Sequence, residues 1–195
     1  MAELEFMTWL HNNLHSCDIL STIFKYITLL GDHGILWLSL GAVMSCFKRT
    51  RLPGFLMLAS FAIGFILNDY LLKDLFARPR PIADSEVLLA WQKSTGYKTP
   101  TGFSFPSGHS MASGACVVVL LYFYGKRAIF PAITGGLIAL SRIYMCAHYP
   151  TDVLAGLLLG IVIAQIVLLV YKPILKWLKN IITDIKLKRK FKIKS

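Results

Sequence analysis

Charged residues are scarce in this sequence. Only 16% of its 195 residues are Asp, Glu, Lys or Arg, whereas 55% are hydrophobic. Soluble domains carry a charge on about a quarter of their residues, so the composition excludes an ordinary soluble domain and indicates a membrane protein. A cleavable signal peptide is not expected either. Residues 2–15 contain two acids, two histidines and two asparagines, which is too polar for the apolar part of such a peptide.

Cysteines are few and carry no metal-binding pattern. The four of them have no CxxC spacing and lie mostly in apolar runs: Cys17, Cys46, Cys116 and Cys146. A disulfide framework or a zinc site is therefore not expected, and buried free thiols are. No cluster of Asp, Glu and His has the spacing of metal ligands, so the sequence predicts no metal and no cofactor. Internal repeats and low-complexity segments are also absent from the sequence.

Five apolar runs between charges predict the architecture, because a helix needs about 20 residues to cross the hydrocarbon core. The runs are Gly34–Phe47, Pro53–Leu72, Phe105–Gly125, Ala128–Ala147 and Val153–Tyr171. The segment Cys17–Leu30 is short and contains Asp18 and Lys25. It is expected to be an N-terminal interfacial or re-entrant helix, with a sixth span as the alternative. The predicted fold class is all-α, a polytopic membrane helical bundle of about five spans.

Basic residues predict the orientation in the membrane. Five spans place one end of the bundle beside five cations and the C-terminal tail; the cations are Lys48, Arg49, Arg51, Lys126 and Arg127. The tail 172–195 adds nine cations against the single acid Asp184. By the positive-inside rule this end is cytoplasmic, which predicts a multi-pass plasma-membrane protein with a cytoplasmic C-terminus. The net charge of +11 is then a topology signal. The tail is expected to bind anionic headgroups, and a nucleic-acid partner is not expected.

A first polar segment, 73–81, comes after the second apolar run. Asp69 and Lys73 lie four residues apart, and Arg78-Pro79-Arg80-Pro81 comes next. The prolines end a helix and stiffen the chain. A lysine with a guanidinium fork suits the binding of phosphate oxygens. A rim of cations that snorkel to the membrane interface explains this segment equally well.

A second polar segment, Phe105–Ser110, stands directly before an uncharged run. Pro106 suits the first helical position, so free backbone N–H groups of a helix start are expected to face an anion. Gly108 permits a close backbone approach, Ser107 adds a hydroxyl donor, and His109 holds a proton near neutral pH. The alternative is a plain capped helix start with an interfacial histidine.

A third polar segment, Ser141–Asp152, combines an arginine, a histidine and a carboxylate. Pro150 marks the start of the last span, so Asp152 lies in its first turn, four residues after His148. A carboxylate on one imidazole nitrogen leaves the other free to attack. Arg142 adds a guanidinium for negative charge in a transition state. A local ion pair across a short loop is the simpler interpretation.

Together the three segments resemble the three-part signature of the type 2 phosphatidic acid phosphatase family. The superfamily includes vanadium haloperoxidases and glucose-6-phosphatase. The matching residues are Lys73 with Arg80-Pro81, then Pro106-Ser107-Gly108-His109, then Ser141-Arg142 with His148 and Asp152. The resemblance covers about residues 30–172. Six residues between Lys73 and the motif's arginine select Arg80 over Arg78.

The resemblance implies a metal-independent phosphomonoesterase or diphosphatase in a helical bundle. His148 would be the nucleophile that forms a phosphohistidine, Asp152 would orient it, and His109 would be the general acid. Five residues would bind the phosphoryl oxygens: Lys73, Arg80, Ser107, Gly108 and Arg142. Some members have a further span before the interfacial helix, which is not expected in this chain; this leaves the location of residues 1–16 open.

The expected organisation is a membrane-embedded phosphatase domain, 1–172, followed by a basic cytoplasmic tail, 173–195. The polar and aromatic stretch 82–105 is expected to be an external loop that acts as a lid; a disordered connector is the alternative. The predicted substrate is a lipid phosphate at the outer interface: undecaprenyl pyrophosphate, phosphatidylglycerophosphate or phosphatidic acid. Competing functions are a haloperoxidase and a transporter or lipid-binding scaffold with a degenerate site. The sequence leaves the oligomeric state open.

Overall fold

The computed structural model describes residues 2–15 and 17–192. Within them the chain forms α-helices joined by short turns, and no strand. The predicted all-α membrane bundle is confirmed. In chain order the helices are α1 (Ala2–Leu14), α2 (Asp18–Gly31), α3 (Ile35–Cys46), α4 (Arg51–Leu67), α5 (Lys73–Phe76), α6 (Glu86–Ser94), α7 (Gly108–Tyr124), α8 (Ile129–Tyr144) and α9 (Pro150–Lys192).

Four described stretches are long and apolar enough to cross a membrane: Asp18–Cys46, Arg51–Phe76, Gly108–Tyr144 and Pro150–Trp177. Each of the first three contains two α-helices, and in the third these are α7 and α8. The chain turns at Gly125, whose φ of 54° suits glycine, and α8 then packs back on α7. A Cβ at Gly135 of α8 would lie 3.3 Å from that of Ser113 on α7. The number of crossings stays a prediction.

Helix α2 has an apolar exposed side and a buried side. Ile19, Ile23 and Tyr26 are exposed at helical spacing, whereas Thr28 and Gly31 are buried. Such a helix suits the interfacial position that the sequence predicts for Cys17–Leu30, and its place relative to the bilayer stays a prediction. Positive φ angles at two consecutive residues bend the chain between α2 and α3, at His33 (53°) and Gly34 (68°).

The centre of the bundle is the contact between α7 and α9. Small residues let the two backbones approach closely. A Cβ at Gly160 would lie 2.1 Å from the carbonyl oxygen of Met111, and one at Gly156 would lie 2.4 Å from that of Ser107. Gly156 and Gly160 are spaced four apart, as in the small-residue stripes of membrane helix pairs. This contact fixes the start of α9 against the start of α7, where two of the polar segments lie.

A π-helical turn, Asn68–Leu72, joins α4 to α5. One extra residue in a turn rotates the helix beyond it about its axis, and such turns are frequent at functional sites. Asn68 is fully buried within this turn. The turn and α5 carry Asp69 and Lys73, so the first polar segment begins on a continuous helical rod rather than in a loop.

The stretch 82–105 differs from the expected loop, because residues 86–94 form α6. The side chain of Ser85 caps this helix by accepting from the backbone N–H of Leu88. Leu88 is buried against Met7 of α1, so tertiary packing supports a short helix. The cysteines also differ in part. Cys116 and Cys146 are buried as expected, whereas Cys17 and Cys46 are exposed; all four are free thiols.

Candidate active site

The three polar segments meet at one cavity of about 530 Å³. Six of the eight residues predicted to form the site line it: Lys73, Arg80, Gly108, His109, Arg142 and His148. The other two, Ser107 and Asp152, are fully buried and support residues that face the cavity. Segments far apart in the sequence are therefore brought to one site, as their chemistry predicts.

His148 lies in the turn between α8 and α9 with one ring nitrogen held by the backbone. Its Nδ1 is 2.7 Å from the carbonyl oxygen of Ser104. A carbonyl only accepts, so Nδ1 carries the hydrogen and Nε2 has the free lone pair. Burial, followed by the positive charge of Arg80, lowers the pKa of His148 well below its ordinary value. The imidazole is therefore neutral at neutral pH.

Asp152 lies beside His148, as the sequence predicts, but it is farther from Nδ1 of His148 than the Ser104 carbonyl is. Its Oδ2 is 3.7 Å from Nδ1 of His148 and accepts a hydrogen bond from the backbone N–H of Tyr149 at 2.9 Å. Its Oδ1 accepts from Nη1 of Arg78 at 2.6 Å. The Ser104 carbonyl thus fixes the tautomer of His148, and the carboxylate supplies negative charge beside the same ring edge.

The guanidinium of Arg80 is surrounded by acceptors. It donates to the carbonyls of Gly102, Thr101, Phe103 and Ala147 at 2.8–3.0 Å. Its Nη1 is also 3.3 Å from Nε2 of His148. Burial, followed by the charge of Arg142, lowers the pKa of Arg80 to about 10. The loop 101–103 therefore positions this arginine directly against the free nitrogen of His148.

The remaining parts of the first two segments lie in α5 and at the start of α7. Lys73 forms an ion pair with Asp69, one helical turn earlier. Ser107 caps α7, because its side chain accepts from the backbone N–H of Ser110, and it also accepts from the hydroxyl of Ser110 at 3.0 Å. Gly108 begins α7 and faces the cavity. The helix N-terminus thus points its partial positive charge towards the site.

His109 is paired with a carboxylate that the sequence does not predict. Its Nε2 is 2.9 Å from Oδ1 of Asp32, at the end of α2. Its Nδ1 makes no hydrogen bond to the described residues. The carboxylate therefore anchors His109 through Nε2 and leaves its Nδ1 available for another partner. Gly31 permits the approach, because a Cβ there would lie 2.5 Å from the His109 ring.

Arg142 is almost fully buried, with 3% of its surface exposed. Its Nη1 donates to the hydroxyl of Thr28 at 2.5 Å and to that of Tyr97 at 2.9 Å. Tyr97 in turn donates to Asp32 at 2.7 Å. The buried Nε of Arg142 has no partner among the described residues. A buried guanidinium nitrogen without an acceptor is costly, and an anion in the cavity that Arg142 lines would stabilise the charge of this guanidinium.

The cavity also has an apolar wall. Leu38, Phe61 and Phe65 line it together with the polar residues. Leu38 and Phe65 are also exposed on the outer surface of the bundle. The site therefore joins a cationic pocket to a hydrophobic surface, which suits an amphiphile with an anionic head.

Among the described residues, no group of three His, Cys, Asp or Glu side chains is placed to hold a metal ion. The positive charges at the cavity are those of side chains and of the start of α7. Residues 97–101 form part of the cavity wall, so the stretch 82–105 borders the site although α6 makes part of it helical.

Three residues that contact the predicted site residues are not indicated by any sequence motif: Asp32, Thr28 and Tyr97. Nothing in the neighbourhood of Asp32 distinguishes it from the other acids outside the apolar runs. The one available signal is the polar pair Asp32-His33 between two apolar runs. Arg78 falls outside the matched motif, yet it binds Asp152.

The comparisons with known proteins agree with this geometry. The sequence model of the PAP2 superfamily matches residues 53–175. The chain is 32% identical over 146 residues to an undecaprenyl-diphosphatase from Sulfolobus acidocaldarius, covering 72% of this chain and 67% of that protein.

Two solved structures are also similar. One is a PAP2-type phosphatidylglycerolphosphate phosphatase from Bacillus subtilis, with a TM-score of 0.64, 27% identity, and coverage of 85% of this chain and 82% of that one. The other is LpxE from Aquifex aeolicus, with a TM-score of 0.69, 25% identity, and coverage of 85% and 93%. The chain therefore belongs to the PAP2 superfamily.

Proposed function

We propose that this protein hydrolyses a phosphate or pyrophosphate group of a membrane lipid through a covalent phosphohistidine on His148. Membership of the PAP2 superfamily makes the chain a membrane lipid phosphatase; the mechanism, the residues and the substrate are the proposal. One observation carries it. The free Nε2 of His148 lies in a cavity that it shares with a paired histidine, His109, and with the cations Lys73, Arg80 and Arg142.

In the first step, Nε2 of His148 attacks the phosphorus and the bond from phosphorus to the leaving oxygen breaks. Nδ1 keeps its hydrogen on the carbonyl of Ser104, so the ring becomes positively charged as the new bond forms. The carboxylate of Asp152, 3.7 Å from Nδ1, stabilises that charge. The low pKa of His148 keeps the lone pair available.

His109 gives a proton to the leaving oxygen, which is a lipid alkoxide or a lipid phosphate. Nε2 stays paired with Asp32, so Nδ1 is the nitrogen that donates. In the second step a water molecule attacks the phosphohistidine, the bond from phosphorus to nitrogen breaks, and His109 accepts a proton from the water. Inorganic phosphate is released and both histidines return to their starting states.

Cations and helix dipoles balance the charge that collects on the phosphoryl oxygens. As Nε2 of His148 bonds to phosphorus, the Nη1–H group of Arg80 that faced it is free to bind an oxygen. The guanidinium of Arg142, the ammonium of Lys73 and the start of α7 at Gly108 line the same cavity. Preorganised donors of this kind supply a large share of catalysis in phosphoryl transfer.

The substrate is proposed to be a lipid whose head enters the cavity while its tail stays on the apolar wall at Leu38 and Phe65. Polyprenyl pyrophosphate is the first candidate, because the undecaprenyl-diphosphatase is 32% identical to this chain. Phosphatidylglycerophosphate and phosphatidic acid are the others. The site is proposed to face outwards, since Lys126 and Arg127 lie at the opposite end of α7 from Gly108.

A phosphate-release assay on detergent-purified protein tests this function. Polyprenyl pyrophosphate, phosphatidylglycerophosphate and phosphatidic acid are offered in parallel to wild type, to His148→Ala and to a matched control, His11→Ala. His11 does not line the cavity. Wild type and the control are expected to release phosphate from at least one lipid, and His148→Ala from none. Lipid binding without phosphate release by wild type would instead support a transporter or a binding scaffold.

A further inference from the structure

The sequence repeats the Arg-Pro pair at Arg78-Pro79 and Arg80-Pro81. The proposed mechanism gives a role to Arg80 but none to Arg78. Arg78 does not line the phosphate cavity. Its guanidinium instead donates to Asp152 through Nη1 at 2.6 Å and to Glu3 through Nη2 at 2.6 Å. The guanidinium also lies 4.2 Å from the centre of the Tyr149 ring. Its Nη1 also donates to the hydroxyl of Thr151 at 2.7 Å. Four fixed contacts on a residue 74 positions from Asp152 indicate a defined task.

Asp152 needs a positive partner, because its side chain is fully buried. A buried carboxylate keeps its charge only when it is paired and hydrogen-bonded. The Tyr149 N–H binds one oxygen, and Arg78 supplies the only guanidinium on the other among the described residues. The negative charge that stabilises the His148 ring therefore depends on Arg78.

The main chain of Arg78 contacts Ser104, the second residue that holds the His148 ring. Its carbonyl oxygen accepts from the N–H of Ser104 at 2.8 Å, and the Ser104 hydroxyl donates to the carbonyl of Pro79 at 2.8 Å. Ser104 is the residue whose carbonyl holds Nδ1 of His148. Arg78 is thus bonded to both groups that flank Nδ1, one through its side chain and one through its backbone.

Glu3 anchors Arg78 from the first turn of α1. Its Oε1 also accepts from the N–H of Thr151 at 3.0 Å and from the Thr151 hydroxyl at 2.8 Å, so it caps the start of α9 from another helix. Burial alone would raise the pKa of Glu3, but the hydrogen bonds from Arg78 and Thr151 lower it below its ordinary value. Buried Met7 fixes α1 in place.

We propose that Glu3 and Arg78 are positioning residues that connect helix α1 to the His148–Asp152 pair, so that α1 is part of the catalytic apparatus. The proposal rests on the phosphohistidine mechanism. Glu3 holds the guanidinium of Arg78, Arg78 holds the carboxylate of Asp152, and Asp152 stabilises the charge on His148. Neither Glu3 nor Arg78 contacts the phosphate cavity, so the effect is on the rate of phosphoryl transfer and not on phosphate binding.

The test measures phosphohistidine formation in a single turnover of detergent-purified, full-length protein, with vanadate affinity as the second readout. Arg78→Gln is expected to slow phosphorylation by about 10- to 100-fold, the usual range for groups that orient a reactive side chain, with vanadate affinity within about threefold of wild type. Arg78→Lys, which keeps one charged donor for Asp152, is expected to recover part of that rate. The matched pair is Glu3→Gln, expected to slow the step about threefold to tenfold, and Glu5→Gln, expected to leave it unchanged. Glu5 is exposed on the same helix.

A double-mutant cycle separates positioning from general destabilisation. In an Asp152→Asn background, Arg78→Gln is expected to cause no further loss, because the group through which it acts is already neutral. A full additional loss there, or a wild-type rate in both Arg78→Gln and Glu3→Gln, would overturn the proposal. If Arg78→Gln also loses vanadate affinity, its slower phosphorylation no longer separates positioning from damage to the phosphate site. The phosphorylation rate of Glu3→Gln then decides between the two. If the wild-type protein forms no phosphohistidine, both the mechanism and the positioning role are overturned. If the wild-type protein forms phosphohistidine and Arg78→Gln forms it at the same rate, only the positioning role is overturned.

Discussion

Arg142 is the residue whose replacement gives the sharpest test of the phosphate site. Its guanidinium is buried, with Nη1 bound to the hydroxyls of Thr28 and Tyr97 and with Nε lacking a partner among the described residues. Lysine keeps the charge but has one nitrogen. One nitrogen cannot both keep the Nη1 contacts with Thr28 and Tyr97 and bind an anion in the cavity, so Arg142→Lys loses either the anchoring contacts or the contact with the phosphate.

The geometry also sets the size of the loss. One preorganised donor to a developing charge is commonly worth about 2.7–4 kcal/mol, or a factor of about 100 to 1,000 in kcat. An ammonium that stays on Thr28 leaves the phosphoryl oxygen unbound, so we expect Arg142→Lys to lower kcat by about 100-fold, and by at least about tenfold. Vanadate, as a phosphate analogue, should inhibit the variant more weakly than wild type.

Phosphate release from a lipid substrate in detergent measures the turnover, and vanadate inhibition measures the binding. Arg127→Lys is the matched control, since Arg127 is exposed and lies beyond the other end of α7 from the cavity. It should behave as wild type. Near-normal turnover and vanadate affinity in Arg142→Lys would mean that this arginine is only a structural anchor for Thr28 and Tyr97, and the proposed phosphate site would lose one of its main supports.

Four further outcomes are expected. Full turnover should persist in EDTA, because the cavity supplies cations from side chains; a loss that magnesium reverses would contradict this. His109→Ala should slow release from lipid substrates far more than from an activated aryl phosphate, which needs no proton on its leaving oxygen; equal losses would remove the general-acid role. The rate at which His148 is phosphorylated should not fall as the pH drops through 6.5, since burial and Arg80 hold the pKa of His148 well below that value; a midpoint near 6.5 would count against it. After removal of the native cysteines, Lys93→Cys should react with an impermeant thiol reagent outside intact cells and Lys188→Cys should not; reversed labelling would place the site in the cytoplasm.

The sequence was sufficient to predict the bundle and the residues at the cavity. Charges interrupt its apolar runs sharply, so the helices could be bounded, and polar side chains beside a membrane are costly enough to indicate function. Three such segments at one end of a helical bundle are expected to lie close together and form one site. The residues of the three segments, represented by Lys73 and Arg80, by Gly108 and His109, and by Arg142 and His148, accordingly meet there.

The partners of those residues could not be predicted, for two physical reasons. Some are backbone groups, such as the Ser104 carbonyl on His148, and no sequence pattern identifies a carbonyl as a partner. Others come from distant positions: Asp32 pairs with His109 across 77 residues, and Glu3 with Thr151 across 148. Helix α6 was missed because its nine residues are too few to show a clear helical period, and because the buried cluster that joins Leu88 to Met7 of α1 supports it from a distant part of the sequence.

The most direct test of the proposed mechanism is to locate the covalent phosphate. Wild type and His109→Ala are mixed with lipid substrate or with an activated aryl phosphate. Each reaction is quenched in base, which preserves phosphohistidine, and the protein is digested for mass spectrometry. Phosphate is predicted on Nε2 of His148, with more of it accumulating in His109→Ala when an activated substrate is used, because His109 is needed to activate the attacking water. Phosphate on another side chain, or phosphate release by wild type at a rate that His148→Ala matches, would contradict the central claim.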